Sequence, residues 1–153
     1  MSSKKLFKKL VEKGLTIAFA ESMTGGRVTY ELIKNPGSSK VIQGSVIAYS
    51  NEQKHKLLNV SLDIIIQHTS VSREVATEMA INIKNMMNAS IGVGITGNAG
   101  PSLQHDTHKK EVFVAIATNT VVETYHIDLH SYTRLKSIQK TNHFIYEKLN
   151  QLL

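Results

Sequence analysis

The sequence predicts an α/β fold, a single-domain three-layer α/β/α sandwich built on a mixed, mostly parallel sheet. Two observations support this prediction. Short apolar runs alternate with helical segments through the first two thirds of the chain, which is typical of strands joined by helical crossovers. Two β-branched runs then follow each other directly, which indicates a hairpin, and a helical segment ends the chain. A length of 153 residues suits one buried core.

The N-terminal half alternates predicted helices and strands. The first helix covers residues 3–13, where apolar residues recur at helical spacing among lysines, and it ends at Gly14. Residues 15–20 form an apolar run typical of a buried strand. Three further segments follow, a helix at 27–34, a strand at 41–50 and a short helix at 52–58.

The C-terminal half begins with a helix for which Ser72 is the predicted N-cap. We interpret its methionines as core residues, because they recur with valine and isoleucine on one helical stripe. Strands are predicted at 91–95, 111–118 and 121–128. The last helix covers 134–152 and is expected to bury Leu135, Ile138, Ile145, Leu149 and Leu152.

The composition is that of an ordinary globular protein with a basic charge. The absence of cysteine excludes disulfides, thiolate metal sites and a cysteine nucleophile. A net charge of +6 favours anionic ligands. We interpret the lysines of the first helix as a solvated face, with nucleic-acid binding as a weaker alternative. Because no apolar run approaches about 18 residues, we expect no membrane span and a cytoplasmic location.

Ser22 lies where the strand at 15–20 meets the helix that begins after Gly25 and Gly26. A serine hydroxyl becomes a nucleophile when a base takes its proton. The backbone amides of Thr24, Gly25 and Gly26 can bind a phosphate or an oxyanion at a helix N-terminus. The alternative is that Ser22 caps the helix and the glycines make a tight turn.

Lys54 is the candidate base. A lysine takes up a proton only when it is uncharged, which requires burial or a neighbouring cation. Tyr49 either relays a proton or orients Lys54, and the alternative for Lys54 is a solvated position on the helix. Ser22, Lys54 and the loop at 96–101 all follow predicted strands, so parallel strands would bring them to one edge of the sheet.

The loop at 96–101 contains Gly97 and Gly100 and either binds a phosphate or turns the chain. The following polar loop contains His105 and His108 at a spacing that suits a metal, but Asp106 is its only carboxylate. We therefore expect neither a metal nor another cofactor.

Five motifs, in this order, resemble the C-terminal domain of the CinA family, the competence/damage-inducible proteins. They are A-E-S-M-T-G-G at 20–26, P-G-S-S at 36–39, A-Y-S-N-E-Q-K at 48–54, H-T-S-V-S-R-E-V-A-T-E-M-A at 68–80 and T-G-N-A-G-P at 96–101. The resemblance covers nearly the whole chain and implies one domain over residues 1–153.

The resemblance implies a nicotinamide-nucleotide amidohydrolase, or NMN deamidase. Such an enzyme hydrolyses the carboxamide of nicotinamide mononucleotide (NMN) to nicotinic acid mononucleotide and ammonia. The resemblance implies Ser22 as nucleophile, Lys54 as base and Tyr49 as a third catalytic residue, and it implies a homodimer. The substrate-binding residues expected on this basis are Thr24, Gly25, Gly26, Thr96, Gly97, Gly100 and Arg134.

Two features depart from the family pattern. Residues 102–110 replace the D-G-G and K-P-V-G elements with a glycine-free, histidine-bearing segment, and Ile138 stands where a second arginine usually follows Arg134. The nucleophile motif is thus intact, whereas the substrate-holding part is changed. Two alternatives to the enzyme follow, a weak or inactive nucleotide-binding or regulatory module and a nucleic-acid-binding accessory factor.

Overall fold

The computed structural model describes residues 2–153, which form a single α/β domain around a five-stranded sheet. The strands are β1 (Ile17–Glu21), β2 (Ile42–Ile47), β3 (Ile91–Gly97), β4 (Glu111–Ala117) and β5 (Val122–Asp128). The helices are α1 (Ser3–Lys13), α2 (Arg27–Ile33), α3 (Asn51–Leu58), α4 (Leu62–His68), α5 (Arg73–Met86) and α6 (Arg134–Leu152), with a 3-10 turn at Ser38–Lys40.

The sheet is mixed, and its strand order is β2-β1-β3-β4-β5. The central strand pairs are parallel, with Phe19 of β1 opposite Ser45 of β2 and Val93 of β3. β4 is antiparallel to both β3 and β5, so β4 alone runs in the opposite direction. The predicted fold class is confirmed. The carboxyl ends of β1, β2 and β3 therefore share one edge, where the three candidate loops begin.

Helices cover both faces of the sheet, which gives the three layers. On one face, α1, α2 and α6 pack on the sheet through buried apolar residues that include Leu10, Leu32, Ile145 and Leu149. On the other face, α3, α4 and α5 pack through a set that includes Leu58, Ile65, Val75, Met79 and Ile83. Ala18 and Ala20 of β1 face this second layer. The catalytic candidates lie at the edge of this second layer, where α3 begins.

Two glycines of β3 let α5 approach the centre of the sheet. A Cβ atom at Gly92 would lie 2.1 Å from the Ala80 carbonyl oxygen, and one at Gly94 would lie 2.2 Å from that of Ala76. Any side chain at these positions would push the helix off the strand. This close packing fixes the start of α5, and the turn before it, against the end of β3.

Two local predictions were wrong or incomplete. Helix α4 was not predicted, because its run of three isoleucines has low helix propensity; Ser61 caps it by accepting a hydrogen bond from the Ile64 amide. Leu135 was expected to be buried, but it is 60% exposed, because burial along α6 begins only at Ser137.

None of the helices between residues 2 and 153 combines the length and the apolar character needed to cross a bilayer.

Candidate active site

The structure brings Ser22 and Lys54 together. Ser22 follows β1 directly, and Lys54 lies one turn into α3, whose first turn is capped by the Ser50 side chain. The Lys54 Nζ atom is 3.4 Å from Ser22 Oγ and 3.2 Å from the main-chain oxygen of Tyr49. Ser22 is 2% exposed and Lys54 is fully buried, so the interpretation of Lys54 as a solvated lysine is wrong.

Burial changes the protonation of Lys54. Removal from water lowers its pKa from 10.5 to about 8, while attraction to the Asp106 carboxylate acts in the opposite direction. With a pKa near 8, about a tenth of the lysines are uncharged at pH 7. That fraction holds the neutral amine that a base requires, and the amine is in contact with the Ser22 hydroxyl.

Glu21, the last residue of β1, is a fully buried carboxylate that caps α2. It accepts hydrogen bonds from the amides of Gly26, Val28 and Thr29 at 2.7–3.2 Å. The hydroxyls of Thr24 and Thr29 donate to it as well, both at 2.6 Å. Five donors and the helix dipole together stabilise the buried charge.

This network corrects part of the expectation that the backbone amides of Thr24, Gly25 and Gly26 bind a substrate anion, because the amides of Gly25 and Gly26 are engaged within the protein whereas the Thr24 amide is not. The Thr24 hydroxyl and the Gly26 amide bind Glu21, and the Gly25 amide donates to the Ser22 carbonyl at 3.0 Å. The sequence did contain a signal for Glu21, because a charged residue at the end of an apolar strand must find donors when it is buried.

Ser22 does not cap α2. The N-cap position is Gly26, the Glu21 carboxylate binds the first amides of the helix, and the Ser22 hydroxyl contacts Lys54 instead. Within residues 2–153, the amides of Met23 and Thr24 donate to no backbone or side-chain acceptor. The turn after β1 therefore combines a buried hydroxyl with two amides that retain their hydrogen-bonding capacity.

Tyr49 contacts Lys54 through its main chain only. Its side chain is 51% exposed, and its hydroxyl accepts a hydrogen bond from the Arg134 guanidinium at 2.7 Å. Arg134 also donates to the Gly100 carbonyl at 2.7 Å. The Tyr49 hydroxyl therefore does not relay a proton to Lys54 in this structure. The main-chain oxygen of Tyr49 orients the Lys54 amine. The Tyr49 ring lines the site beside Arg134.

The loop after β3 supplies the opposite wall. The Thr96 hydroxyl is buried and donates to the Ser70 carbonyl at 2.6 Å, so it is engaged within the protein rather than free for a substrate. Gly97 packs so closely that a Cβ atom there would lie 2.6 Å from Met23 Sδ. A cavity of about 180 Å³ lies between these walls, lined by Met23, Tyr49, Gly97, Asn98, Ala99, Ser102, Leu103, Gln104 and Arg134.

The altered segment at 102–110 folds back onto the turn between α4 and α5. Asp106 and Gln104 both contact the buried Ser70, and the Gln104 amide donates to Asn98 Oδ1. The contact between Ser70 and Asp106 was not predicted, because nothing in the chain order links residues that are 36 positions apart. Across residues 2–153, no group of three or more histidines and carboxylates is arranged to hold a metal ion.

Comparisons with known proteins agree on one family. The model of the CinA C-terminal domain matches residues 1–153. A "CinA-like protein" of Prochlorococcus marinus is 47% identical over 97 residues, 63% of this chain and 23% of that protein. A "putative competence-damage inducible protein" of Clostridium kluyveri is 49% identical over 92 residues, 60% of this chain and 22% of that protein. The chain thus matches less than a quarter of the length of these curated relatives.

Two solved structures have the same fold over nearly the whole chain. The competence or damage-inducible protein of Enterobacter asburiae superposes with a TM-score of 0.92 at 31% identity, covering 99% of this chain and 96% of that one. A competence-damaged protein (CinA) superfamily protein of Escherichia coli gives a TM-score of 0.93 at 25% identity, covering 99% and 88%. These names describe induction and family, and they state no reaction.

Proposed function

The chain belongs to the CinA C-terminal domain family, and we propose that it is an amidohydrolase that converts NMN to nicotinic acid mononucleotide and ammonia. One observation carries the proposal: a fully buried lysine amine contacts a serine hydroxyl at the carboxyl edge of the sheet. A buried amine of lowered pKa beside a hydroxyl is one arrangement that can activate a serine for amide hydrolysis by acyl transfer.

In the proposed mechanism, neutral Lys54 takes the proton of Ser22 as Oγ attacks the carboxamide carbon. The tetrahedral intermediate collapses, the C–N bond breaks, and the Lys54 ammonium gives its proton to the departing ammonia. An ester between Ser22 and the nicotinate carbonyl remains. Lys54 then takes a proton from water, which attacks the ester, and the same proton returns to Ser22 as the acid leaves.

The Met23 and Thr24 amides are the proposed donors to the oxyanion. They directly follow the nucleophile in the chain, and within residues 2–153 neither has an internal acceptor. An amide that already points at the developing charge stabilises it without reorganisation, and the loss of one such donor costs about 3–4 kcal/mol. Gly25 and Gly26 adopt positive φ values, 58° and 93°, which the turn that follows these amides requires.

Arg134 is the proposed contact for the substrate phosphate. Its exposed guanidinium uses one N–H on Gly100 and one on Tyr49, and a guanidinium has five. The remaining donors suit a phosphate in the cavity, which Arg134 lines together with Gly97, Asn98 and Ala99. Arg134 would make this contact alone, because Ile138 stands where the family pattern usually has a second arginine.

The test is ammonia release from NMN, nicotinamide riboside, nicotinamide and NAD. We expect turnover of NMN, and a loss of at least roughly 1,000-fold in Ser22→Ala and in Lys54→Ala. Ser39→Ala and Lys56→Ala are matched controls, because both remove the same groups from exposed positions, and they should retain full activity. Tight NMN binding without ammonia from the wild type would instead identify a nucleotide-binding module.

A further inference from the structure

The segment at 102–110 brings Gln104 to the cavity, where it lies with Tyr49 and Arg134 among the lining residues. Gln104 and Tyr49 also line a second hollow beside the start of α3, so the two spaces adjoin at these side chains. This segment replaces the glycine-bearing elements of the family pattern. A contact between Gln104 and a substrate is therefore one that the family pattern does not predict.

Hydrogen bonds hold the main chain of Gln104 on both sides. Its amide donates to Asn98 Oδ1 at 3.4 Å, and its carbonyl accepts the Thr107 hydroxyl at 3.0 Å. Asn98 Nδ2 in turn donates to the Thr107 hydroxyl oxygen at 2.5 Å. The next residues are fastened to the turn between α4 and α5, because Asp106 Oδ2 accepts the Ser70 amide at 2.8 Å. The Gln104 side chain thus extends from a fixed backbone, as a binding residue requires.

The buried Ser70 hydroxyl determines which way the Gln104 side-chain amide faces. Ser70 Oγ lies 2.9 Å from Asp106 Oδ1 and 2.6 Å from the nearer atom of that amide. Partial burial raises the pKa of Asp106, but the hydrogen bonds from Ser70 outweigh that effect, so the pKa lies below its usual range. The carboxylate is therefore ionised and can only accept. The single proton of the Ser70 hydroxyl goes to Asp106.

A hydrogen bond between Ser70 and Gln104 then needs the Gln104 NH₂ group as its donor. A half-turn about the last side-chain bond exchanges the oxygen and nitrogen of an amide, and the surrounding partners decide between the two orientations. With the NH₂ group on Ser70 Oγ, both contacts of the hydroxyl are satisfied. The outer atom of the amide is then the carbonyl oxygen. That outer position forms no hydrogen bond within residues 2–153 and is not among the buried polar atoms, so it is open to solvent.

We propose that Gln104 is a substrate-binding residue whose side-chain carbonyl oxygen accepts a hydrogen bond from a ribose hydroxyl of the nucleotide. This inference rests on the proposed function, in which the carboxamide reaches Ser22 and the phosphate reaches Arg134. The ribose joins these two groups in NMN, so it lies between them, in the cavity that Gln104 lines. An acceptor fixed at this point favours a substrate that carries the hydroxyl over an analogue that lacks it.

The first test measures binding without turnover. NMN, 2′-deoxy-NMN and 3′-deoxy-NMN are titrated by calorimetry into Ser22→Ala and into Ser22→Ala combined with Gln104→Met, which keeps the length of the side chain and removes its amide. Gln104→Met should weaken NMN binding roughly three- to tenfold, the effect of one neutral hydrogen bond. One of the deoxy analogues should bind to Ser22→Ala more weakly than NMN by a similar factor, with no further loss in the double variant.

The second test is hydrolysis of the same three nucleotides by the wild type and by Gln104→Met. The loss for NMN should lie in KM, with kcat changed by less than about twofold, because the ribose contact is the same in the ground state and the transition state. Gln139→Met is the matched control, since it makes the same change at an exposed position of α6, and it should leave KM unchanged.

Three results would overturn the inference. One is that Ser22→Ala binds both deoxy analogues as tightly as NMN, which is independent of how well any Gln104 variant folds. Another is an equal loss for all three nucleotides in Gln104→Met, because that would indicate a role in shaping the segment alone. The third is unchanged binding of NMN in Gln104→Met. If the binding pattern is found but the wild type releases no ammonia from NMN, the proposed function fails and the ribose contact remains.

Discussion

Replacing Lys54 with methionine should stabilise the fold while it removes the proposed base. Holding this amine in the interior lowers its pKa from 10.5 to about 8, and each pKa unit corresponds to about 1.4 kcal/mol of differential stability. At pH 7 the 2.5-unit difference costs the folded state about 3 kcal/mol. Methionine fills nearly the same volume without a charge, but it leaves the Tyr49 carbonyl without its donor, at a cost of about 1 kcal/mol. The expected net gain is about 2 kcal/mol.

The pH dependence gives this prediction its sign. Between pH 8 and 10.5 the unfolded chain holds a proton on Lys54 that the folded protein has released. The free energy of unfolding therefore rises with pH across this window, and the Lys54 contribution to the slope is absent in Lys54→Met. The stability advantage of the variant should be largest below pH 8 and should disappear by about pH 10.5.

The assay is urea unfolding of the wild type, Lys54→Met and Lys56→Met at pH 7 and at pH 10. At 153 residues, a gain of about 2 kcal/mol corresponds to a rise in Tm of roughly 4–8 °C. Lys56 pairs with Glu52 at the surface, so its replacement should change the stability by less than about 1 kcal/mol at either pH. If Lys54→Met is less stable than the wild type at pH 7, or retains the wild-type pH slope, burial does not lower the pKa of Lys54 as proposed.

Two further predictions concern Glu21 and Arg134. Glu21→Gln should lower the free energy of unfolding, measured in urea, by about 2–4 kcal/mol, because an amide NH₂ would face donors that now bind a carboxylate. The control is Glu31→Gln, which changes a surface ion pair with Lys34 and should lower the free energy of unfolding by less than about 1 kcal/mol. A Glu21→Gln protein as stable as the Glu31→Gln control would contradict this account of α2. Arg134→Ala should raise KM roughly tenfold for NMN and leave KM for nicotinamide riboside unchanged, because only NMN carries the phosphate. An equal rise for both substrates would place the phosphate elsewhere.

The overall fold and the proximity of Ser22 and Lys54 were predictable from local patterns. Glycine and proline mark several element boundaries, and the alternation of apolar strands with helices requires parallel neighbours in one sheet. Parallel strands bring their carboxyl ends to one edge, so Ser22 and Lys54 could be expected to meet. Whether Lys54 was buried could not be read from α3 alone, because Lys56 and Glu52 on the same helix are exposed.

The contacts that complete the site depend on tertiary structure. Glu21 binds the backbone amides at the start of α2, and Asp106 binds Ser70, which is 36 residues away. The spacing of residues in the sequence does not indicate which donors these two carboxylates bind. The direction of the Tyr49 side chain was also beyond the sequence, because its hydroxyl meets Arg134 from the other end of the chain. Sequence motifs therefore located the candidate groups, and packing decided which of their neighbours hold them.

The most direct test of the account is to look for the Ser22 ester during turnover. The protein is mixed with NMN, quenched in acid within milliseconds to seconds, digested and analysed by mass spectrometry. The account predicts a nicotinate mononucleotide acyl group on the peptide that contains Ser22, with no adduct and no ammonia in Ser22→Ala. Ammonia release from NMN by Ser22→Ala at the wild-type rate would contradict it.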